Sequence, residues 1–154
     1  MPKREVIMAW DPGGTTGVCA AVPAPDQPSG FLIIESTIVL WNNRFSRIRD
    51  LIDLYRPTHT VVEDFTLYKH KANDQIGSRF PSSQVIGIIE AYLYMIGCAM
   101  PSYQKAFQIS GKPPVLILPE HLPLLTASEH ARDAYRHLRY WFVAQQLGKG
   151  RSHA

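Results

Sequence analysis

Residues 7–18 read IMAWDPGGTTGV, and the fold turns on how this stretch is understood. An apolar run ends on a carboxylate, Asp11, and the chain then turns away on a proline and two glycines. A turn alone needs no acid at that point. An acid closing a buried strand suits two kinds of chemistry: holding a divalent metal, or meeting a nucleotide phosphate through that metal. Residues 6–10 are expected to form a strand, with Gly13, Gly14 and Gly17 allowing a tight hairpin turn. Residues 18–22 are expected to form the second strand.

The bulk composition limits the classes open to the chain. It has 154 residues, 45% hydrophobic and 19% charged, which suits one globular domain with a core of its own rather than a disordered chain. No apolar run reaches the roughly 18 residues of a membrane span. The N-terminal MPKREVIMAW lacks a signal-peptide core, so a cytoplasmic protein with no membrane partner is expected. Cys19 and Cys98 stand alone in apolar stretches, which is neither a disulfide framework nor a zinc knuckle. The net charge of +3 permits an anionic partner. Its distribution says more: Arg44, Arg47 and Arg49 cluster, and Lys69, Lys71 and Arg79 follow later. Singly these are ordinary solvated residues; as a set around the acids they suit phosphate contacts.

Outward from the opening stretch, PAPDQPSG (23–30) is a turn region and FLIIESTIVL (31–40) a third strand. Residues 44–55 carry Phe45, Ile48, Leu51, Ile52 and Tyr55 at helical spacing, and Pro57 stops them. THTVVEDF (58–65) is a short buried strand that again ends on acids, Glu63 and Asp64. Residues 67–80 are a polar, basic loop. Residues 82–97 form a mostly apolar helix, one face for the sheet and the other free to meet a second copy of the chain. Residues 100–114 read as irregular, and VLILP (115–119) as the last strand. A closing helix is expected over 126–147, with Thr126 and Glu129 at capping-box spacing and Gly148 at its end. The order is that of an α/β fold with a mixed sheet.

Three acidic points stand out along this plan. Asp11 and Glu63 end strands, and SEHARDAYRHL sets His130 and Asp133 three residues apart on one helical face, about 5–6 Å apart at Cβ. If the first and fourth strands lie side by side in parallel, their acids share an edge and the last helix can cover them. Crowded carboxylates raise one another's pKa unless a cation compensates. Hard divalent ions do so: Mg²⁺ favours oxygen ligands, and Mn²⁺ tolerates an imidazole as well. Ordinary roles remain open at each position: a turn cap for Asp11, an exposed strand end for Glu63, and a solvated first helical turn for His130 and Asp133. His59, His121 and His137 show no such partners in the sequence and read as surface or core histidines.

WDPGGTTGV, VVEDF and HARDAYRHL resemble the three acidic motifs of the RuvC-like Holliday-junction resolvases of the RNase H-like superfamily, over Ile7 to about Leu138. The resemblance implies an RNase H-like fold, a mixed five-stranded sheet flanked by helices. It would form a single nuclease domain over 1–147, with a short basic tail at 148–154. It implies an endonuclease that works as a homodimer on four-way DNA junctions, with two Mg²⁺ or Mn²⁺ ions per active site and no small-molecule cofactor. Two-metal hydrolysis would leave 5′-phosphate and 3′-hydroxyl ends. Carried over by position, Asp11 would bridge the two metals, Glu63 would bind one and Asp133 the other. His130 stands where family members carry Asp or His. The family's basic loop after the second acid resembles LYKHKANDQIGSRF, which assigns DNA contacts to Phe65, Tyr68, Lys69, Lys71 and Arg79. Phe65 and Tyr68 both fall near the place of its junction-probing aromatic, and neither matches cleanly. Asp64 beside Glu63 is reminiscent of phage members, whose products act in the host cytoplasm.

Other readings stay open at this level. DPGGTTG also resembles the phosphate-binding turn of sugar kinases and actin-like ATPases, although those enclose ATP between two such domains and lack the HARD-type helix. An RNase H-like nuclease acting on flaps, forks or RNA–DNA hybrids would need the same metal site. A DNA-binding module without activity would have no reason to hold the acids.

Overall fold

The computed structural model describes residues 3–64 and 80–152, residues 149–152 by backbone alone. Five strands form one mixed sheet in the order β3-β2-β1-β4-β5. They are β1 (Ile7–Asp11), β2 (Thr15–Pro23), β3 (Phe31–Leu40), β4 (His59–Glu63) and β5 (Ser102–Gln104). The first three strands form an antiparallel meander, whereas β4 joins β1 in parallel and β5 joins β4 in parallel. Helix α1 (Arg44–Tyr55) makes the crossover from β3 to β4. Helix α2 (Pro81–Met95) follows β4, the short α3 (Phe107–Ser110) follows β5, and α4 (Glu129–Ser152) ends the fold. Among the described residues, no helix is long and apolar enough to cross a membrane.

The alternation of strand side chains divides the core in two. Met8, Trp10, Val18, Ala20 and Val62 face one side, where they pack with Ile48, Leu51 and Ile52 of α1 and Val85, Ile89 and Leu93 of α2. Ile7, Ala9, Cys19, Ala21 and Val61 face the other, against Ala134, Tyr135, Leu138 and Phe142 of α4. Helices cover both faces, so β1 is buried along its whole length. That explains its unbroken apolar run, in contrast to the half-exposed β3 at the sheet edge.

The mixed sheet flanked by helices agrees with the sequence reading, and four local expectations are corrected. VLILP (115–119) is not a strand; the fifth strand is Ser102–Gln104, inside the stretch read as irregular. Gly17 does not belong to the turn. It lies within β2 opposite Asp11, and the turn is made by residues 12–14, tied by Thr16 Oγ1 to the backbone of Gly13. Thr126 does not begin the last helix. Its hydroxyl donates to the Ser36 carbonyl (2.8 Å) and its N–H to Ser36 Oγ (2.9 Å), which fastens the incoming loop to β3. Ser128 takes the capping place instead, its Oγ accepting from the His130 N–H at 3.3 Å. At the far end α4 continues through Gly148 to Ser152.

Candidate active site

β1 and β4 run in parallel register, Ala9 beside Val61 and Trp10 beside Val62. One step further, both strands end on an acid. Residues 7, 9 and 11 share a face by alternation, and so do 61 and 63; that face is the one α4 covers. Asp11 and Glu63 are therefore neighbours at the C-terminal edge of the sheet, under the start of α4. Asp11 is only 7% exposed. Burial, then a hydrogen bond with Glu63, then the charges of Glu63 and Asp133 push its pKa up to about 9. Burial also acts to raise Glu63, but hydrogen bonds from His137 and Asp11 outweigh it, and its pKa is lowered. Of the pair, Asp11 is thus the carboxyl that favours the proton and Glu63 the one that favours the charge.

The helix reaches this pair because β2 has no side chain in its way. A Cβ at Gly17 would lie 1.8 Å from the His130 carbonyl oxygen, so only glycine permits α4 to sit this close to the sheet. His130 then brings Nδ1 to 3.2 Å from Asp11 Oδ2. Asp133, one turn on, is close enough for its charge to act on Asp11, yet its carboxylate is turned to Arg136 Nη1. That arginine also stands 3.5 Å from Glu129 Oε2. Of the four expected residues, Asp11 meets both Glu63 and His130, whereas Asp133, on the helix face of His130, is engaged by Arg136. Among the described residues, no three acid, histidine or cysteine side chains already form a metal-ligand cluster.

The donor set nevertheless suits a hard divalent cation. A buried carboxyl, Asp11, and a half-buried one, Glu63, stand side by side here, and a third, Asp133, is paired with an arginine. A divalent ion would supply the positive charge that the proton and Arg136 now supply. Oxygen donors with one imidazole match Mg²⁺ or Mn²⁺.

Several neighbours of the site were not singled out from the sequence. His137, read as a surface or core histidine without partners, is fully buried and bridges two elements. Its Nε2 lies 3.1 Å from Glu63 Oε1 and its Nδ1 2.7 Å from Gln104 Oε1. Its spacing of four from Asp133 and seven from His130 puts it on the same helix face, the one signal available in the sequence. Lys105 pairs with Asp64, next to Glu63. Beside Glu63 and Asp133 a cleft of about 450 Å³ is lined by Arg136 and by apolar residues including Ile109, Val115 and Ile117. The other two histidines match their reading. His121 is buried against the Tyr135 hydroxyl (2.8 Å), whereas His59 is exposed and pairs with Glu5.

The proposed DNA contacts Phe65, Tyr68, Lys69, Lys71 and Arg79 lie outside the described residues. In the earlier arginine cluster, Arg49 pairs with Asp50 (3.1 Å) and Arg47 reaches Glu35 (4.0 Å). Arg44 instead lies over the Trp41 ring, 3.7 Å from its centroid, and donates to the Trp41 carbonyl.

No protein-family model matches the chain, and no curated protein matches it in sequence. Solved structures do match it in shape. RuvC of T. thermophilus in complex with a Holliday junction substrate superposes with a TM-score of 0.69 at 14% identity, covering 94% of this chain and 96% of that one. A second Thermus thermophilus RuvC structure gives 0.68 at 13% identity, covering 93% and 96%. The chain therefore shares the RuvC fold, an RNase H-like fold, along nearly its whole length.

Proposed function

We propose that this chain is a metal-dependent endonuclease that cleaves four-way DNA junctions by phosphodiester hydrolysis. The observation that carries the reading is the placing of Asp11 and Glu63 side by side at the ends of two parallel strands, with His130 Nδ1 of α4 3.2 Å from Asp11. The same fold in T. thermophilus RuvC bound to a Holliday junction substrate supports the choice of DNA.

In this reading Asp11, Glu63, His130 and Asp133 hold Mg²⁺ or Mn²⁺, two ions per site. Bound there, such ions would supply positive charge for a scissile phosphate and would lower the pKa of a water. The chain's own part is positioning. The rigid strand ends fix Asp11 and Glu63, and Gly17 lets α4 bring His130 down to them. Asp133 would have to leave Arg136 to join them, which would free that guanidinium in the lining of the cleft for a phosphate partner. With water as the nucleophile, the products carry 5′-phosphate and 3′-hydroxyl ends and no covalent enzyme intermediate arises.

Paired symmetric cuts need two sites, so the reading includes a homodimer. Gly87, Ala91, Tyr94 and Met95 fall on one exposed face of α2 and suit a second copy. Phe65, Tyr68, Lys69, Lys71 and Arg79 follow β4 in sequence and serve as DNA contacts.

The test is incubation of labelled four-way, three-way, flap and linear DNA and an RNA–DNA hybrid with Mg²⁺ or Mn²⁺, mapping the cuts on every strand. Paired symmetric nicks confined to the four-way substrate are expected. Cutting of flaps, forks or hybrids in preference would assign a different RNase H-like nuclease, and ATP turnover without cleavage would favour the actin-like alternative.

A further inference from the structure

We propose that His137 is a positioning residue: through Nε2 it holds the Glu63 carboxylate in the orientation that meets a divalent cation together with Asp11, and Gln104 fixes its ring. The inference rests on the metal-site reading above and adds a residue from outside the acidic motifs.

The geometry is that of a relay spanning three elements. His137 sits on α4, Glu63 at the end of β4 and Gln104 at the end of β5. The imidazole is fully buried and Gln104 is 6% exposed, so no solvent competes for either nitrogen. A carboxylate only accepts, so Nε2 carries the hydrogen aimed at Glu63 Oε1 across 3.1 Å. Nδ1 is then completed by the Gln104 amide at 2.7 Å, a group that can offer its oxygen or its NH₂.

A buried polar ring costs stability unless it is bonded at both nitrogens, and a packing role here would be met by an apolar ring of similar shape. Instead the core keeps an imidazole and a buried glutamine that bond each other. The outcome of that arrangement falls on one atom, Glu63 Oε1. With Oε1 engaged, Glu63 presents its other oxygen to a cation. Carboxylates that bind metals in proteins are commonly oriented by such a partner, and its loss typically lowers metal affinity about 10–100-fold.

The experiment compares Mn²⁺ affinity, by calorimetric titration of the DNA-free protein, with global stability by urea unfolding. The wild type, Asp11→Asn, His137→Phe and His137→Gln are used. Glutamine places an N–H near the position of Nε2, whereas phenylalanine keeps the ring and loses the hydrogen bond. A positioning role predicts that His137→Gln binds Mn²⁺ within a few-fold of wild type, and that His137→Phe binds it about tenfold or more weakly. A packing role predicts the reverse order or no difference, and either result overturns the proposal. Should His137→Phe not fold, Gln104→Leu, which releases the ring, takes its place with the same expected weakening; unchanged affinity there overturns the proposal equally. If the wild type binds no Mn²⁺, or Asp11→Asn binds it as well as wild type, the metal-site reading fails and this inference falls with it. If those two behave as expected, only the role of His137 is at stake.

Discussion

Gly17 and His130, on different elements and 113 positions apart, touch backbone to backbone: a Cβ on Gly17 would stand 1.8 Å from the carbonyl oxygen of His130 and 2.1 Å from its carbonyl carbon. Neither atom can move without shifting α4 as a whole. The depth at which His130 meets Asp11 is thus set by a residue with no side chain.

Gly17→Ala is accordingly expected to destabilise the protein by about 1–3 kcal/mol or more, the usual cost of forcing extra volume into a packed contact. It should also weaken Mn²⁺ binding by lifting His130 from Asp11. Gly14→Ala is the control, since a Cβ there meets nothing within 4 Å. Urea unfolding of both variants checks the contrast; equal stabilities would remove the close approach as a determinant of the fold.

Asp11→Asn is expected to abolish cleavage and leave junction binding intact, because removing a negative charge does not weaken contact with phosphate. Gel-shift and cleavage assays on the same preparation test this. Full cleavage by the variant would take Asp11 out of the metal site.

The metal-free protein should lose stability as pH rises. Asp11 has a folded pKa of about 9 against an ordinary value of 3.8, so the native state holds a proton that the unfolded chain releases. Its contribution is complete below pH 4, declines from there, and is gone once pH passes about 9. Glu63, whose pKa is lowered, acts in the opposite sense and loses its contribution under acid conditions. Melting temperatures of the apoprotein should therefore fall between pH 6 and pH 9. Added Mn²⁺ should raise them more at the higher pH, because binding displaces the proton. In Asp11→Asn the alkaline decline should be much reduced. A decline of equal size in that variant would assign it to another group.

Changing Lys69, Lys71 and Arg79 to Ala should weaken binding to branched DNA and flatten its salt dependence. Every phosphate that the protein no longer neutralises reduces the slope of log K against log salt by about 0.9. An unchanged slope would remove these residues from the interface.

If α2 carries a homodimer contact as proposed, Tyr94→Lys should give a monomer without loss of fold, since Tyr94 is 78% exposed and contributes little to the core. Light scattering coupled to gel filtration reports the mass. A wild type that is already monomeric would separate the cleavage reading from the dimer.

The parts of the fold legible in the sequence are those where local pattern and burial agree. The β1 apolar run, the 31–40 strand and the Arg44–Tyr55 helix each carry a local pattern that tertiary packing reinforces. β5 was illegible because Ser-Tyr-Gln is three residues long and lies at a sheet edge, where pairing comes from the backbone and leaves little hydrophobic trace. VLIL carries the apolar composition of a strand, yet Leu116 is 64% exposed and the segment lines the cleft instead of pairing. In the site, strand alternation and helix spacing were enough to suggest Asp11, Glu63, His130 and Asp133. They could not show Asp133 turned to Arg136, a choice among rotamers. Nor could they show His137, whose partners lie 33 and 74 positions away and are brought to it only by the crossover of β4 and β5.

Helix α4 lays its polar face over the sheet edge and its apolar face into the core, so length variation is tolerated very unequally along the C-terminal third of the chain. Between Gly111 and Ser128, outside any strand, an inserted residue can be absorbed by the loop before the helix begins. A single residue inserted between Asp133 and His137 would turn everything beyond it by about 100°. His137 would swing away from Glu63, and Leu138 and Phe142 would leave their places against the sheet. Homologous chains should therefore differ freely in the connector and keep an unbroken count through the helix.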